Sequence, residues 1–318
     1  MQAEVSDAER LYIAQGVAQD LRNDGRGCRD LRPLELELGV IAAANGSSRL
    51  HVGATDVIAG VKVSLGQPEA GAPDKGQVFV SVECSSCASP EFKASPVERP
   101  GKGPAAVEQA GLRGSGRGLA AAAAAAARSQ GRGGEDWGID MAAALQSALR
   151  ATMDRHALCV LSGKTCWLVH VDCLVLNDGG AVLGALSVAA RAALAVTRLP
   201  KVEVTMGEGE DDEPEIELGD DSEGTPLDVT TLPVIVTLGQ IGSRCVADLT
   251  AEEEPCASAV LHVAVGPQGR VAGSSKAGGG GIGQAVLIEM LETAQQLGPR
   301  VIRELDSFLA ASAAAPGG

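Results

Sequence analysis

Aromatic side chains are nearly missing from this chain, with two Trp, one Tyr and three Phe among 318 residues. A core cannot be built on rings here, so Val, Leu, Ile and Ala have to fill it. Histidine is equally sparse, and His51, His156, His170 and His262 are scattered, none beside a nucleophile with an evident orienting acid. Spacing therefore supports no Ser-His-Asp or Cys-His arrangement. Long apolar runs are lacking too. The most apolar segment holds only Ala181–Ala190 without a charge, about half of what a bilayer span needs. No basic–apolar–small pattern opens the sequence, so no membrane association is expected and a reducing compartment is. The eight cysteines then read as small apolar core residues. Cys84-Ser85-Ser86-Cys87 is a single C-x-x-C, without the second pair that zinc needs or the helix start that redox chemistry needs. Neither metal nor cofactor is expected.

An excess of positive charge is also absent, since the formal net charge is −15. The imbalance is local. Gly207–Glu223 holds ten acids and no Lys or Arg, which leaves −15 + 10 = −5 for the rest of the chain. Lys93–Gly134 is basic, with seven Lys or Arg against Glu98 and Glu108. Net charge alone thus excludes no single surface from contact with nucleic acid.

What the sequence does contain is organised around Cys166–Pro200. Cys166–Leu176 is short, apolar and β-branched, with His170 and Asp172 its only strongly polar residues, and reads as a central strand covered on both faces. His170 and Asp172 share one face by period-two alternation, where a structural hydrogen bond is expected. Asn177-Asp178-Gly179-Gly180 is turn chemistry, and Ala181–Arg198 is apolar almost all round, the mark of a buried helix. A strand that enters a helix through Asp-Gly-Gly can cradle an anion, because the first N–H groups of the helix point at the turn.

Upstream, Ser6-x-x-Glu9 is a capping box opening a helix with Leu11, Ile13, Val17 and Leu21 on its apolar face, ending at Asn23-Asp24-Gly25. Leu34–Val40, Arg49–Val52, Thr55–Leu65 and Gln77–Val82 then predict a β meander. The Gly-, Pro- and Arg-rich Lys93–Gly134, with eight alanines at Ala120–Ala127, predicts a disordered insert. From Trp137 the residues Ile139, Leu145, Leu149 and Met153 mark a helix ending near Asp154. The acidic Gly207–Glu223 reads as a solvated excursion. Beyond it, Val234–Leu238, Ser243–Ala247, Ala257–Val265 and Arg270–Gly273 form a second group of strands, with Pro267-Gln268-Gly269 turning the last pair. A final helix from Gln284 carries Leu287, Met290, Leu291 and Ala294, with a kink expected near Gly298-Pro299. The pattern is α+β: two tandem units of β-sheet and covering helix. In residues, 1–30 is an N-terminal helix and turn, and 31–200 a first unit with insert 93–134. An acidic linker over 201–228, a second unit over 229–310 and a disordered tail over 311–318 follow.

Two nucleotide-like motifs fail on context. Gly163-Lys164-Thr165 resembles the end of a phosphate-binding loop, but a strand follows it and not a helix. Gly278, Gly280 and Gly283 satisfy G-x-G-x-x-G, yet the chain stops before a second parallel strand with its acid could follow. A nucleotide-binding enzyme built on Gly278–Gly283 would have to bind ATP or NAD without that strand.

Several stretches together resemble the RNase PH family, and within it the ring subunits of the RNA exosome. They are Ser6–Ile13, Leu21-Arg22-Asn23-Asp24-Gly25-Arg26-Gly27-Cys28, Gly46–Leu50, Gly53-Ala54-Thr55-Asp56-Val57 and Ser89-Pro90-Glu91-Phe92. Cys166-Trp167, Val171-Asp172, Ala192–Leu194, Thr197-Arg198-Leu199-Pro200, Pro233–Leu238 and Asp248–Glu254 continue the match. The resemblance implies an RNase PH-like fold of the ribosomal protein S5 domain 2-like kind. It implies phosphate-dependent 3′→5′ exoribonuclease activity in active members, where phosphate is held by an arginine in Gly-Arg-Ser and by Thr-Arg-Thr after Asp-Gly-Gly. Here Ser147 stands at the first arginine, and Ala181-Val182 follow Asp178-Gly179-Gly180. Each lost charged partner costs roughly 1.5–3 kcal/mol. Two such losses lower phosphate occupancy by about two orders of magnitude or more. Ser147, Asp172, Asp178, Gly179, Gly180, Ala181 and Val182 thus outline a degenerate site whose cradle is expected to be empty.

The resemblance further implies a non-catalytic member of a six-membered ring of related RNase PH-like subunits. S1/KH cap subunits would sit on one face, and RNA would pass through a shared pore toward an associated hydrolytic exoribonuclease. Nucleus, nucleolus and cytoplasm are the expected locations, and Arg132 and Arg150 the candidate RNA-phosphate contacts. The alternatives are an active phosphorolytic exoribonuclease and a composite site completed by a partner subunit.

Overall fold

The computed structural model describes residues 5–85, 87–88, 134–205, 215–219 and 224–314. Arg132, nearly all of the Ala/Gly-rich insert, Ser89–Phe92, the greater part of the acidic stretch and residues 315–318 lie outside them.

Helix α1 (Asp7–Ala18) opens on the expected capping box: Ser6 Oγ accepts from Glu9 N, and Glu9 accepts from Ser6 N at 2.8 Å. It closes earlier than the sequence predicts. Asp20 turns left-handed at φ 60°, and Leu21 N donates back to Gly16 O. Leu11 and Leu21 are consequently exposed, and the buried contact is made by Ile13 and Val17 against Ile241, Val246 and Leu249.

Strands β1 (Leu34–Leu38), β2 (Gly46–Val52) and β3 (Thr55–Gly66) form the predicted meander, but β4 (Gln77–Cys84) leaves it. It crosses β6 (Thr165–Asn177) and pairs with its far side in parallel, giving the order β1-β2-β3-β6-β4. Helix α2 (Gly134–Thr152) is carried in that crossover, and the short β5 (Cys159–Leu161) pairs with the start of β6. Ile139, read from periodicity as part of the α2 pattern, is exposed, while Leu145, Leu149 and Met153 enter the core.

Among the described residues, β6 is covered on one face only, not on two. Trp167, Val169, Val171, Cys173 and Val175 are buried, while Leu168, His170, Leu174 and Leu176 are half-buried and Asp172 is exposed. Both α2 and α3 (Val182–Ala195) pack on the buried side. Apolar residues on the other face made the run look doubly covered.

α3 is buried all round because the second sheet closes over it. That sheet has the antiparallel order β12-β11-β13-β14, from β11 (Val234–Ile241), β12 (Arg244–Ala247), β13 (Ala259–Val265) and β14 (Val271–Ala277). Its hairpin turn holds Gly269 at φ 74°. Helix α4 (Gln284–Ala314) lies against β11 and β13 and runs continuously through Pro299, past the expected end at 310. One apolar core joins both units, from Leu50 and Val171 through Leu186 to Ile235 and Ile302.

Between the units, β7 (Arg198–Leu199) pairs with β10 (Thr225–Pro226). Within the acidic stretch read as a loop, β9 (Glu215–Leu218) pairs antiparallel with β8 (Val202–Thr205). Val204 and Ile216 lie opposite one another in the register of that ladder.

Candidate functional site

The bend between β6 and α3 is fixed by backbone bonds that begin inside the turn. Asp178 Oδ1 accepts from Gly180 N at 3.0 Å, and Gly180 adopts φ 91°. The bend carries protein on both sides. A Cβ on Gly179 would meet Thr55 N at 2.6 Å, and one on Gly180 would meet Leu249 O at 2.5 Å. Ala181, the N-cap residue of α3, is left-handed at φ 51° and supplies no side-chain cap.

Its cap comes from elsewhere in the chain. Glu254 Oε1 accepts from Ala181 N at 2.8 Å, across 73 residues. The anion position at this helix terminus is thus filled by a carboxylate of the protein itself, where the sequence led us to expect an empty cradle. Burial pushes the Glu254 carboxyl up to about 7, with Asp178 and Asp248 adding to the rise while the Ala181 N–H and Arg32 oppose it.

Arg32 is the cation nearest the bend, and its donors are already committed. Nη1 donates to Gly179 O at 2.9 Å and Nη2 to Gly180 O at 3.0 Å. Nε and Nη2 also grip Asp248 as a fork, at 2.9 and 2.6 Å. Thr55 Oγ1 donates to Gly180 O at 2.8 Å and accepts from Gly179 N. Little donor capacity is left for an incoming phosphate.

The loop holding Asp248 and Glu254 is stapled in turn by the N-terminal Arg-x-Asp-Gly-Arg stretch. Arg22, fully buried, pairs with Glu253 through Nε at 2.8 Å and through Nη2, and donates to Ala247 O at 2.9 Å and Asp248 O at 2.8 Å. Arg26 bonds Asp24 and Asp248. These residues, with Arg32, form the polar centre of the molecule. The sequence presented them as matching motifs but gave their partners no signal.

The outlined site does not come together as a unit. Asp178, Gly179, Gly180, Ala181 and Val182 lie at the bend. Asp172 sits on the uncovered face of β6 and accepts from Ser81 Oγ at 2.6 Å. Ser147 is exposed on α2 between two residues turned onto the edge of β4: Gln146 accepts from Val80 N, and Arg150 Nε donates to Val78 O, both at 3.0 Å. Arg150 also stands 5.9 Å above the Phe79 ring, and its burial lowers its pKa. Arg132 lies outside the described residues. Phe79 in turn stacks on His170, at 5.1 Å between centroids.

Other motifs resolve as structure. Gly163-Lys164-Thr165 is the β5–β6 hairpin turn, with Gly163 at φ 75°. Gly278–Gly283 follows an antiparallel strand, and Gly280 N donates to Ser258 O. His262 bonds Thr237 at 3.1 Å, and burial pulls its pKa down to about 4. Cys84 and Cys87 are free thiols, and burial together with Asp178 pushes Cys84 up to about 12, away from thiolate chemistry. Among the described residues no three His, Cys, Asp or Glu side chains form a metal-binding group.

Residues 30–112 and 118–200 match domain 1 of the 3′ exoribonuclease family, RNase PH, and residues 231–296 match its domain 2. A Dictyostelium discoideum relative that carries the name exosome complex exonuclease RRP42 is 33% identical, over 96% of this chain and 98% of its own. The exosome complex component Rrp42 of Methanosarcina acetivorans is 30% identical over 91% of this chain and 90% of its own. Among solved structures, an Archaeoglobus fulgidus exosome with RNA bound to the active site superposes at TM-score 0.69. It is 26% identical and covers 94% of this chain and 97% of that one.

Proposed function

The chain belongs to the RNase PH family of 3′ exoribonucleases, and from that membership we propose that it is an exosome-core ring subunit that supports 3′-to-5′ RNA processing without cutting RNA. The ring role is supported by the full-length similarity to exosome Rrp42 components and by the likeness to an archaeal exosome subunit.

The non-catalytic reading rests on one observation: Glu254 occupies the helix terminus where an anion would be held. Phosphorolysis requires a dianion positioned for attack and neutralised by nearby cations, and these are most of what a protein can supply. At this bend a carboxylate takes the N–H, and the Arg32 guanidinium is engaged by Asp248 and the bend carbonyls. A phosphate arriving here would find the Ala181 N–H taken by Glu254, Asp178 and Asp248 close by, and the Arg32 donors already committed. The position is taken.

RNA contact then depends on cations elsewhere. Arg132, and Arg150 with its Nε bonded to Val78, are the proposed contributors, and neighbouring subunits would share the neutralisation. S1/KH caps, an associated hydrolytic nuclease, and a nuclear, nucleolar and cytoplasmic distribution belong to the same proposal. Incubation of the purified chain with RNA and inorganic phosphate tests it. No nucleoside diphosphate is expected, whereas accumulation at a rate comparable to an active family member overturns the reading. Release only from a pair in which the partner's own site is disabled would favour a composite site.

A further inference from the structure

The outward face of the first sheet is covered by no helix of the described residues, and one part of it is shaped. The loop after β1 folds over β3 so closely that a Cβ on Gly60 would stand 3.3 Å from Ile41 Cδ1. Between this loop and β4 lies a groove of about 620 Å³. Ile41, Ala43 and Ala44 form one wall, Ser81 and Glu83 the other, and Asp172 and Leu174 lie on the floor with Ile58. Ile41 is 39% exposed at its rim.

The two walls differ in chemistry. Ile41, Ile58 and Leu174 leave apolar surface in water at adjacent positions, which favours a partner with aliphatic side chains. The Asp172 carboxylate stands beside them on the floor and that of Glu83 on the far wall, both on exposed residues. The one lysine of the lining, Lys62, directs Nζ to Ala43 O at 3.4 Å. A nucleic-acid backbone is repelled by such a lining, whereas a segment carrying a cation beside an aliphatic residue is matched on both walls.

We propose that this groove receives a segment of a neighbouring RNase PH-like subunit, with a guanidinium or ammonium between Asp172 and Glu83 and an aliphatic side chain against Ile41 and Ile58. The assignment rests on the ring-subunit reading and adds to it the surface used. Charge–charge recognition of this kind sets which neighbour docks and in what register.

The test is co-assembly of the full chain with related RNase PH-like subunits, read by the fraction entering the ring at fixed subunit concentration. Glu83→Lys with Asp172→Lys is expected to lower that fraction tenfold or more, and Glu83→Gln with Asp172→Asn less. A photo-cross-linking residue at position 43 of otherwise unaltered chain is expected to capture a related subunit. Assembly of the double-lysine variant at the wild-type level overturns the proposal, as does cross-linking to RNA or to a second copy of this chain. Failure of the unaltered chain to enter any ring would sink the ring reading itself, a result distinct from entry with the groove uncaptured.

Discussion

Glu254 shows how one buried carboxyl reports on a whole site. Its pKa is raised from 4.5 to about 7, so between those values the folded chain holds a proton that the unfolded chain releases. Stability from this group is therefore full below pH 4.5 and is lost as pH rises through 7. A shift of this size corresponds to about 3 kcal/mol at 1.36 kcal/mol per unit. Glu254→Gln keeps an acceptor for Ala181 N and removes the titration. Urea unfolding of both proteins should give similar stabilities at pH 5, with the variant ahead by up to about 3 kcal/mol at pH 8. A difference that does not change with pH would show that burial does not hold the proton on this carboxyl.

At the scale of elements, what the sequence made legible was period. Alternation located β1 and β3, β-rich segments located β2 and β11 to β13, and the all-round apolar run of α3 announced a helix enclosed by protein, which the second sheet supplies. Partners across a sheet were not legible. β4 reads like another strand of the meander, and only its parallel pairing with β6 moves it to the far edge. There Gln146 and Arg150 of α2 take up the Val80 N–H and the Val78 carbonyl, groups that an edge strand would leave unpaired. Small residues set how closely elements approach. A Cβ on Gly46 of β2 would run into Thr197 Oγ1 and the Ala193 carbonyl, beside the end of α3. Gly46→Ala should cost roughly 1–3 kcal/mol in a urea melt, the scale for overpacking a tight contact. The same change at Gly71, where a Cβ meets nothing within 4 Å, should leave stability nearly unchanged. Equal effects at the two glycines would refute the close-packing account of β2 and α3.

Across the whole molecule, the two units are joined by charge as well as by core. Arg191, the one charge inside α3, donates to Val229 O and Leu232 O and pairs with Asp306 of α4. Arg22, Arg26 and Arg32 come from a segment ahead of the first sheet, yet each of them reaches a partner beyond residue 246. That long separation is why the degenerate turn could be read from Asp178-Gly179-Gly180 while its occupant could not. No local spacing links Ala181 to Glu254; the folded arginine network, together with Ala251 N donating to Gly179 O at 3.0 Å, brings the Asp248–Glu254 loop onto the bend. The network's strongest member can be isolated. Arg22→Ala would leave Glu253 buried without its cation and strip donors from two carbonyls, a loss of about 3–5 kcal/mol for a broken buried pair. Glu253→Gln added to it removes the stranded charge, so the double variant should be more stable than Arg22→Ala alone, by about 1 kcal/mol or more. Chemical denaturation of the single and double variants measures that coupling. Additive losses would mean that Arg22 holds the loop through the Ala247 and Asp248 carbonyls alone, and that its ion pair with Glu253 contributes nothing to seating Glu254 at the helix terminus.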